Sequence, residues 1–200
     1  MLPLLLASAS PRRRELLERV GVPLEVRPAD VDEAELPGET PSAYVARVAH
    51  AKAQAVSRKP GQWVLAADTT VTIDGHILAK ANSPEEAAAM LRQLSGRVHQ
   101  VITAFTIVGD IDDRVLHHDA IIASDVAMIE MSAPTLADYV ASGEWRGKAG
   151  AYAVQGIGAA LVREVRGSVT NVIGLPLVEV LEALAAVGAP AARFTAGTPA

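Results

Sequence analysis

The 200-residue sequence predicts an α/β fold in a single compact domain. Three observations predict it. Short apolar runs alternate with segments of helical period along the chain, the pattern of helices packed on a sheet. Three helical segments open on a capping residue followed by proline, at Ser10-Pro11, Thr40-Pro41 and Ser83-Pro84. That pairing joins a side-chain acceptor to a residue whose missing N–H costs nothing at a helix start. Two long β-type stretches, residues 98–108 and 115–131, lie close enough in sequence to pair antiparallel.

Taken in order, residues 2–7 (LPLLLA) form a buried strand that feeds a helix over 11–20. The polar stretch RPADVDEAELPGETP reads as loop up to Thr40. A helix over 41–58 places Tyr44, Val48 and Ala55 on one stripe, with Lys52 on or beside it. Residues 62–67 (QWVLAA) are a second buried strand, and Asp68 follows directly. TTVTIDGHILAK is a hairpin, because Asp74-Gly75 suits a type I′ turn. Ser83 to Glu86 is a capping box that starts a helix to Leu94. After the antiparallel pair come a short helix over 134–142, a Gly-rich loop leading into a strand, and a last helix over 176–187. No repeat or linker divides the chain, so residues 1–188 form one domain. The tail, 189–200, lacks periodicity and is expected to be disordered.

Bulk composition narrows the function classes. Half of the residues are hydrophobic and a fifth charged, ordinary globular usage. A net charge of −5 argues against a nucleic-acid binder, so an anion site must be a local concentration of Arg and Lys. The absence of cysteine excludes disulfides and thiolate metal sites. MLPLLLASAS lacks the basic flank and apolar length of a signal peptide, and no stretch approaches the ~20 apolar residues of a membrane span. The expectation is a cytoplasmic chain that engages neither membrane nor nucleic acid.

Several side chains carry chemistry, each with a plainer alternative. Arg12, Arg13 and Arg14 stand in the first turn of a helix, where the dipole disfavours a cation by about 0.3–1 kcal/mol. Solvated surface arginines fit that pattern. So does a phosphate-binding corner in which Ser8, Ser10, the free helix N–H groups, Arg12 and Arg13 converge after a strand. On the second reading Arg14 is a bystander, and Arg13→Ala is expected to leave the fold intact. Lys52 is either a snorkelling side chain or a cation aimed into a cleft. Asp68, at the end of a buried run, is either a turn carboxylate satisfied by Thr69 or Thr70, or one placed where α/β sheets gather ligands, able to hold Mg²⁺ or activate water. Lys148 divides between a solvated loop lysine and a further phosphate contact. GEWRGKA falls one residue short of a Walker loop and has Ala149 in place of Ser/Thr. GIGAAL lacks the last glycine of a dinucleotide fingerprint. The five histidines show no metal-ligand spacing, and His117 and His118 point to opposite faces of a strand. No G-x-S-x-G elbow is present.

From Leu4 to about Ala183 the chain resembles the Maf family of nucleotide pyrophosphatases. The resemblance rests on seven separated blocks in order: LASASPRRRELL, VDE, ARVAHAKA, AADTTV, LSGRVHQVIT, KAGAYAVQG and NVIGLPL. It implies a central mixed, partly antiparallel sheet flanked by helices, with a cleft between two lobes, as in inosine triphosphatase-like folds. It also implies hydrolysis of nucleoside triphosphates to monophosphate and pyrophosphate with Mg²⁺ or Mn²⁺. Carried over by position, the phosphate-binding and catalytic set is Ser8, Arg12, Arg13, Lys52, Asp68 and Lys80, with Asp68 as proton acceptor. Glu33 matches an acidic position that joins Asp68 at the metal. Arg12, Thr69 and Gln155 are similar to the branch acting on dTTP and UTP, with Gln155 offering its amide to the pyrimidine edge. Three positions depart from the family pattern: Ala79-Lys80-Ala81 for Gly-Lys-Pro, Trp145 for Pro, and Thr70 for Val. The family also implies a homodimer and a link to septum formation and cell-division arrest. Two rival functions stay open at this point: a pyrophosphatase for non-canonical purine nucleotides, and a non-enzymatic nucleotide-binding regulator of septation.

Overall fold

A computed structural model describes residues 2–111, 114–190 and 192. Among these residues seven strands form one mixed sheet, ordered β2-β1-β3-β5-β6-β7 with β4 on the free end of β3. The buried LLL of β1 (Leu4–Leu6) runs into α1 (Pro11–Arg19), and the chain returns as β2 (Leu24–Val26), parallel to β1. Helix α2 (Pro41–Ala55) is capped by the Thr40 hydroxyl, which accepts from Ala43 N–H. It precedes β3 (Val64–Ile73), which pairs parallel with β1 and antiparallel with both β4 (His76–Leu78) and β5 (Val98–Ile111). Between β4 and β5 lies α3 (Pro84–Leu94), its cap made by Ser83. Strand β6 (Arg114–Met128) extends the antiparallel pair, then α4 (Ala133–Ser142) ends at a left-handed Gly143. A 3₁₀ turn (Ile157–Leu161), β7 (Val162–Arg166), α5 (Val169–Ile173) and α6 (Leu177–Ala186) complete the chain.

The expected α/β architecture holds, including the type I′ hairpin, with φ of 53° at Asp74 and 79° at Gly75. Four expectations need correction. Residues 64–67 of the expected 62–67 strand and the following hairpin arm are one ten-residue strand, so Asp68 lies inside β3 instead of after it. The run Thr69-Thr70-Val71-Thr72-Ile73 is β-branched throughout and keeps the backbone extended past the carboxylate. Strand β2 and helix α5 escape a periodicity reading because they span three and five residues. The buried stripe of α2 is Val45, Val48, Ala49, Lys52 and Ala53, with Ala55 exposed. Finally, the domain runs past residue 188, since Ala189 and Pro190 are buried and Ala192 packs on the same core. Residue 191 and residues 193–200 of the expected disordered tail lie outside the described residues.

Two large apolar clusters flank the middle of β3. One joins β1, α1 and α6 through Leu4, Leu17, Phe105 and Leu184. The other joins α3, α4 and the far half of β3 through Leu91, Leu94, Tyr139 and Trp145. These are the two lobes. Strand β1 pairs with β3 at Val64 and Leu65, while β4 pairs only from Val71 onward. Between them, the edge of β3 facing β1 and β4 has no ladder partner among the described residues, and the sheet has a gap. Asp68 sits in that gap.

Candidate active site

The gap opens into a cleft of about 540 Å³ lined from both lobes. Because side chains alternate along a strand, Asp68 turns toward α2 and Thr69 toward α1 and α5, so β3 supplies both walls. On the α2 wall, Lys52 projects from the buried stripe of its helix and meets Asp68 Oδ1 at 2.7 Å. Its Nζ also lies 2.7 Å from Glu33 Oε1. Lys52 and Asp68 are each only 7% exposed. A buried carboxylate beside a buried ammonium is tolerable because each is paired. The snorkelling alternative for Lys52, with its ammonium in solvent, is excluded by its burial and these two ion pairs. Burial pushes the Glu33 carboxyl up, yet Lys52, Lys80 and Arg13 together hold it below the usual carboxylate range.

On the α1 wall, Arg13 is buried and each of its three guanidinium nitrogens makes a hydrogen bond. Its Nε donates to Gly174 carbonyl at 2.8 Å, one terminal nitrogen to Ser8 Oγ at 3.0 Å, and the other to Thr69 Oγ1 at 3.0 Å. Thr69 Oγ1 is also 2.8 Å from Thr103 Oγ1 and donates to Gly174 carbonyl at 3.2 Å. Arg12 is half-buried and donates from Nε to Ile173 carbonyl at 3.1 Å. Burial lowers the pKa of both guanidinium groups, with Asp68 opposing that shift for Arg13. Arg14 points away and pairs with Glu18 on the surface. Ser10 occupies the N-cap position of α1 but makes no side-chain cap bond. Its N–H instead donates to Ser8 Oγ at 3.2 Å. The first-turn N–H groups of α1 are therefore left facing the cleft, as an anion site requires.

The far rim belongs to the second lobe. Lys80 is exposed, and an antiparallel bridge to Ala149 places its backbone. Gly150 N–H donates to Leu78 carbonyl at 3.0 Å, at a φ of 66°. A Cβ on Gly150 would lie 2.9 Å from Val71. This docking, and not a flanking Gly or Pro, sets Lys80 within Ala79-Lys80-Ala81. Lys148 and Gln155 also line the cleft. Five cations (Arg12, Arg13, Lys52, Lys80 and Lys148) face two carboxylates there. The excess of positive charge sits in a protein of net charge −5.

The Maf-like protein family model matches residues 3–187. The chain belongs to the Maf family. A dTTP/UTP pyrophosphatase of Anaeromyxobacter dehalogenans (strain 2CP-1) is 50% identical over 187 residues, covering 94% of this chain and 95% of that one. A dTTP/UTP pyrophosphatase of Rhodospirillum rubrum is 48% identical over 188 residues, covering 93% and 88%. Among solved structures, the Ham1 protein of Staphylococcus aureus aligns over 63% of this chain and 72% of that one, with a TM-score of 0.41 and 17% identity.

In this Maf protein the cleft is lined by every residue expected of it: Ser8, Arg12, Arg13, Glu33, Lys52, Asp68, Thr69, Lys80 and Gln155. The structure changes one role. Arg13 is a structural clamp between α1, β3 and the α5–α6 turn as well as a cation, so its removal is not neutral to the fold. Among the described residues no three His, Asp or Glu side chains form a cage for a metal. Asp68 and Glu33 meet at Lys52 through one oxygen each, and the second oxygen of each accepts no hydrogen bond from the described residues. Two carboxylates completed by phosphate and water oxygens suit Mg²⁺ or Mn²⁺, so the donor set fits a hard divalent cation. GEWRGKA is the C-terminal cap of α4 and a turn, and GIGAAL is a 3₁₀ turn, so neither cradles phosphate as a nucleotide-binding loop. His117 and His118 indeed part, one beside His50 and the other stacked on Phe105.

Residues the sequence did not assign to the site also shape it. Tyr44 donates to Glu33 carbonyl at 3.1 Å and holds the VDE loop over the cleft. Its phenol is pushed up to about 12, first by burial and then by Asp68 and Glu33. The carbonyls of Ile173 and Gly174 anchor both arginines. Only the block NVIGLPL marks that turn, without indicating what it holds.

Proposed function

We propose that this chain hydrolyses nucleoside triphosphates, dTTP and UTP foremost, to the monophosphate and pyrophosphate. The observation that carries the reading is Lys52 joining Asp68 and Glu33 at the gap in the sheet, opposite the Arg12–Arg13 corner. The names of the relatives point to the same nucleotides. A binding protein would need the cations alone. A carboxylate at their centre adds an acceptor for the proton of water.

In the proposed reaction Arg12, Arg13, the α1 N–H groups, Lys80 and Lys148 neutralise the triphosphate oxygens, which lowers the cost of charge shifting onto the departing pyrophosphate. Lys52 holds Asp68 in orientation through Oδ1, leaving Oδ2 to align water and take its proton. The water oxygen bonds to the α-phosphorus as the bond to the α–β bridging oxygen breaks. The bridging oxygen leaves with pyrophosphate. Asp68 and Glu33 would hold a divalent cation, which when bound supplies further charge neutralisation at the phosphates. Gln155 offers both a donor and an acceptor to the pyrimidine edge.

The test is product identity. Purified protein with Mg²⁺ or Mn²⁺ and dTTP should release dTMP and pyrophosphate in equal amounts. Release of dTDP and orthophosphate would overturn the proposed bond cleavage, and no turnover on dTTP, UTP or ITP would leave a binding protein.

A further inference from the structure

Gln155 is exposed and lies on a turn, yet the segment that carries it is held at both ends by one pair of side chains behind it. Glu144 Oε1 accepts from Ile157 N–H at 2.8 Å, and Oε2 accepts from Gly158 N–H at 2.7 Å. The Tyr139 hydroxyl donates to Glu144 Oε2 at 2.9 Å and accepts from Ala153 N–H at 3.2 Å. Val154, Gln155 and Gly156 are thus bracketed between Ala153 on one side and Ile157 and Gly158 on the other. The packing admits little else. A Cβ on Gly156 would fall 1.7 Å from Glu144 Oε1, and one on Gly158 2.9 Å from Tyr139 Oη. Burial pushes the Glu144 carboxyl up, and the N–H groups of Gly158 and Ile157 with the Tyr139 hydroxyl bring it below the usual range. The carboxylate is the form that accepts all three bonds.

We propose that Glu144, with Tyr139, is a positioning residue for base selection: it sets the distance and orientation at which Gln155 meets the nucleobase. The inference rests on the pyrophosphatase reading and deepens it. Glu144 carries its charge into no phosphate contact, and its side chain is spent on the turn. Loss of the bracket therefore acts on the base, and reaches the triphosphate subsite only by removing a negative charge near Lys148, which cannot weaken phosphate binding.

The experiment compares wild type, Glu144→Gln, Tyr139→Phe and Gln155→Ala, with dTTP and ITP as substrates and inorganic tripolyphosphate as a competitive probe. Wild-type turnover of dTTP tests the underlying reading by itself. Given that turnover, Glu144→Gln should raise KM for dTTP roughly tenfold with kcat nearly unchanged, the scale of a lost charge-assisted hydrogen bond. The dTTP-to-ITP preference should fall with it, while the tripolyphosphate inhibition constant does not rise above the wild-type value. Tyr139→Phe, which keeps the ring and removes only the hydroxyl, should move preference in the same direction by a smaller factor. In a Gln155→Ala background, Glu144→Gln should add no further change in preference. An unchanged preference in both single variants, or a tripolyphosphate constant that rises in parallel with KM, overturns the proposal.

Discussion

The two walls of the cleft are built in opposite ways. The phosphate wall is buried and bonded before any ligand arrives: Lys52 and Asp68 are 7% exposed, and Arg13 has three fixed acceptors. The second-lobe wall, with Gln155 for the base and Lys80 as an outer phosphate contact, is exposed and is held from behind, through Glu144, Tyr139 and the Lys80–Ala149 bridge. Charge explains the difference. A triphosphate brings several negative charges, and preorganised donors in a sheltered site stabilise shifting charge without reorganising. A neutral base edge needs only a placed donor and acceptor, which a turn can provide. Substitutions in the first wall should cost both rate and stability, whereas those in the second should cost binding with the fold untouched.

The largest effect is expected at Asp68. Asp68→Asn removes the proton acceptor and keeps the shape, so kcat should fall on the order of 10³-fold. Glu33 remains 2.7 Å from Lys52, so the ammonium keeps a partner and the protein should fold. Calorimetric titration with dTTP should then give a dissociation constant within about threefold of wild type, because the lost function acts in the transition state. Turnover within about tenfold of wild type would remove Asp68 from its role and with it the asymmetry between the walls.

Arg13 comes next, and it sharpens the comparison because it joins chemistry to structure. Arg13→Ala leaves Ser8, Thr69 and Gly174 without their shared donor. Losing such buried bonds costs about 2–3 kcal/mol, which in a protein of this size lowers Tm by about 4–12 °C. The value of kcat/KM should drop about 10²-fold. Arg14→Ala, one residue along and paired only with Glu18 on the surface, should change neither. A Tm equal to wild type in Arg13→Ala would mean that the clamp carries no stability.

These three arginines also show how far the sequence is legible. Adjacent and chemically identical, they divide into a half-buried cation, a buried clamp and a surface residue, because a helix turns by about 100° per residue. The sequence separates Arg14 from its neighbours only through family position. Lys52 and Asp68 could each be flagged, since charged residues beside apolar runs demand partners, whereas Glu33, in a polar loop, is marked only by family position. That they partner one another depends on a gap between β1 and β4, which arises from strand register and leaves no trace in periodicity. The same holds for Glu144. Its bonds run to Tyr139, five residues back, and to Ile157 and Gly158 across a Gly-rich loop, where no repeating pattern links the partners. From sequence Asp68 reads as a strand end because carboxylates are rare inside sheets. The ion pair with Lys52 removes the reason for that rarity.

The smallest effect is expected at Lys80, on the exposed wall. Its side chain makes no hydrogen bond or ion pair among the described residues, and its charge is felt as far as Glu33. An exposed ammonium over a triphosphate acts through a screened field, so Lys80→Ala should lower kcat/KM about tenfold at low ionic strength. Most of that deficit should vanish near 0.5 M salt, where the screening length falls to roughly 4 Å and wild type loses the same attraction. Thermal unfolding should be unchanged, as no buried group is uncovered. A deficit that persists undiminished at high salt would mean that Lys80 is held against the phosphates as tightly as Lys52 is held against Asp68, and the two walls would then share one design.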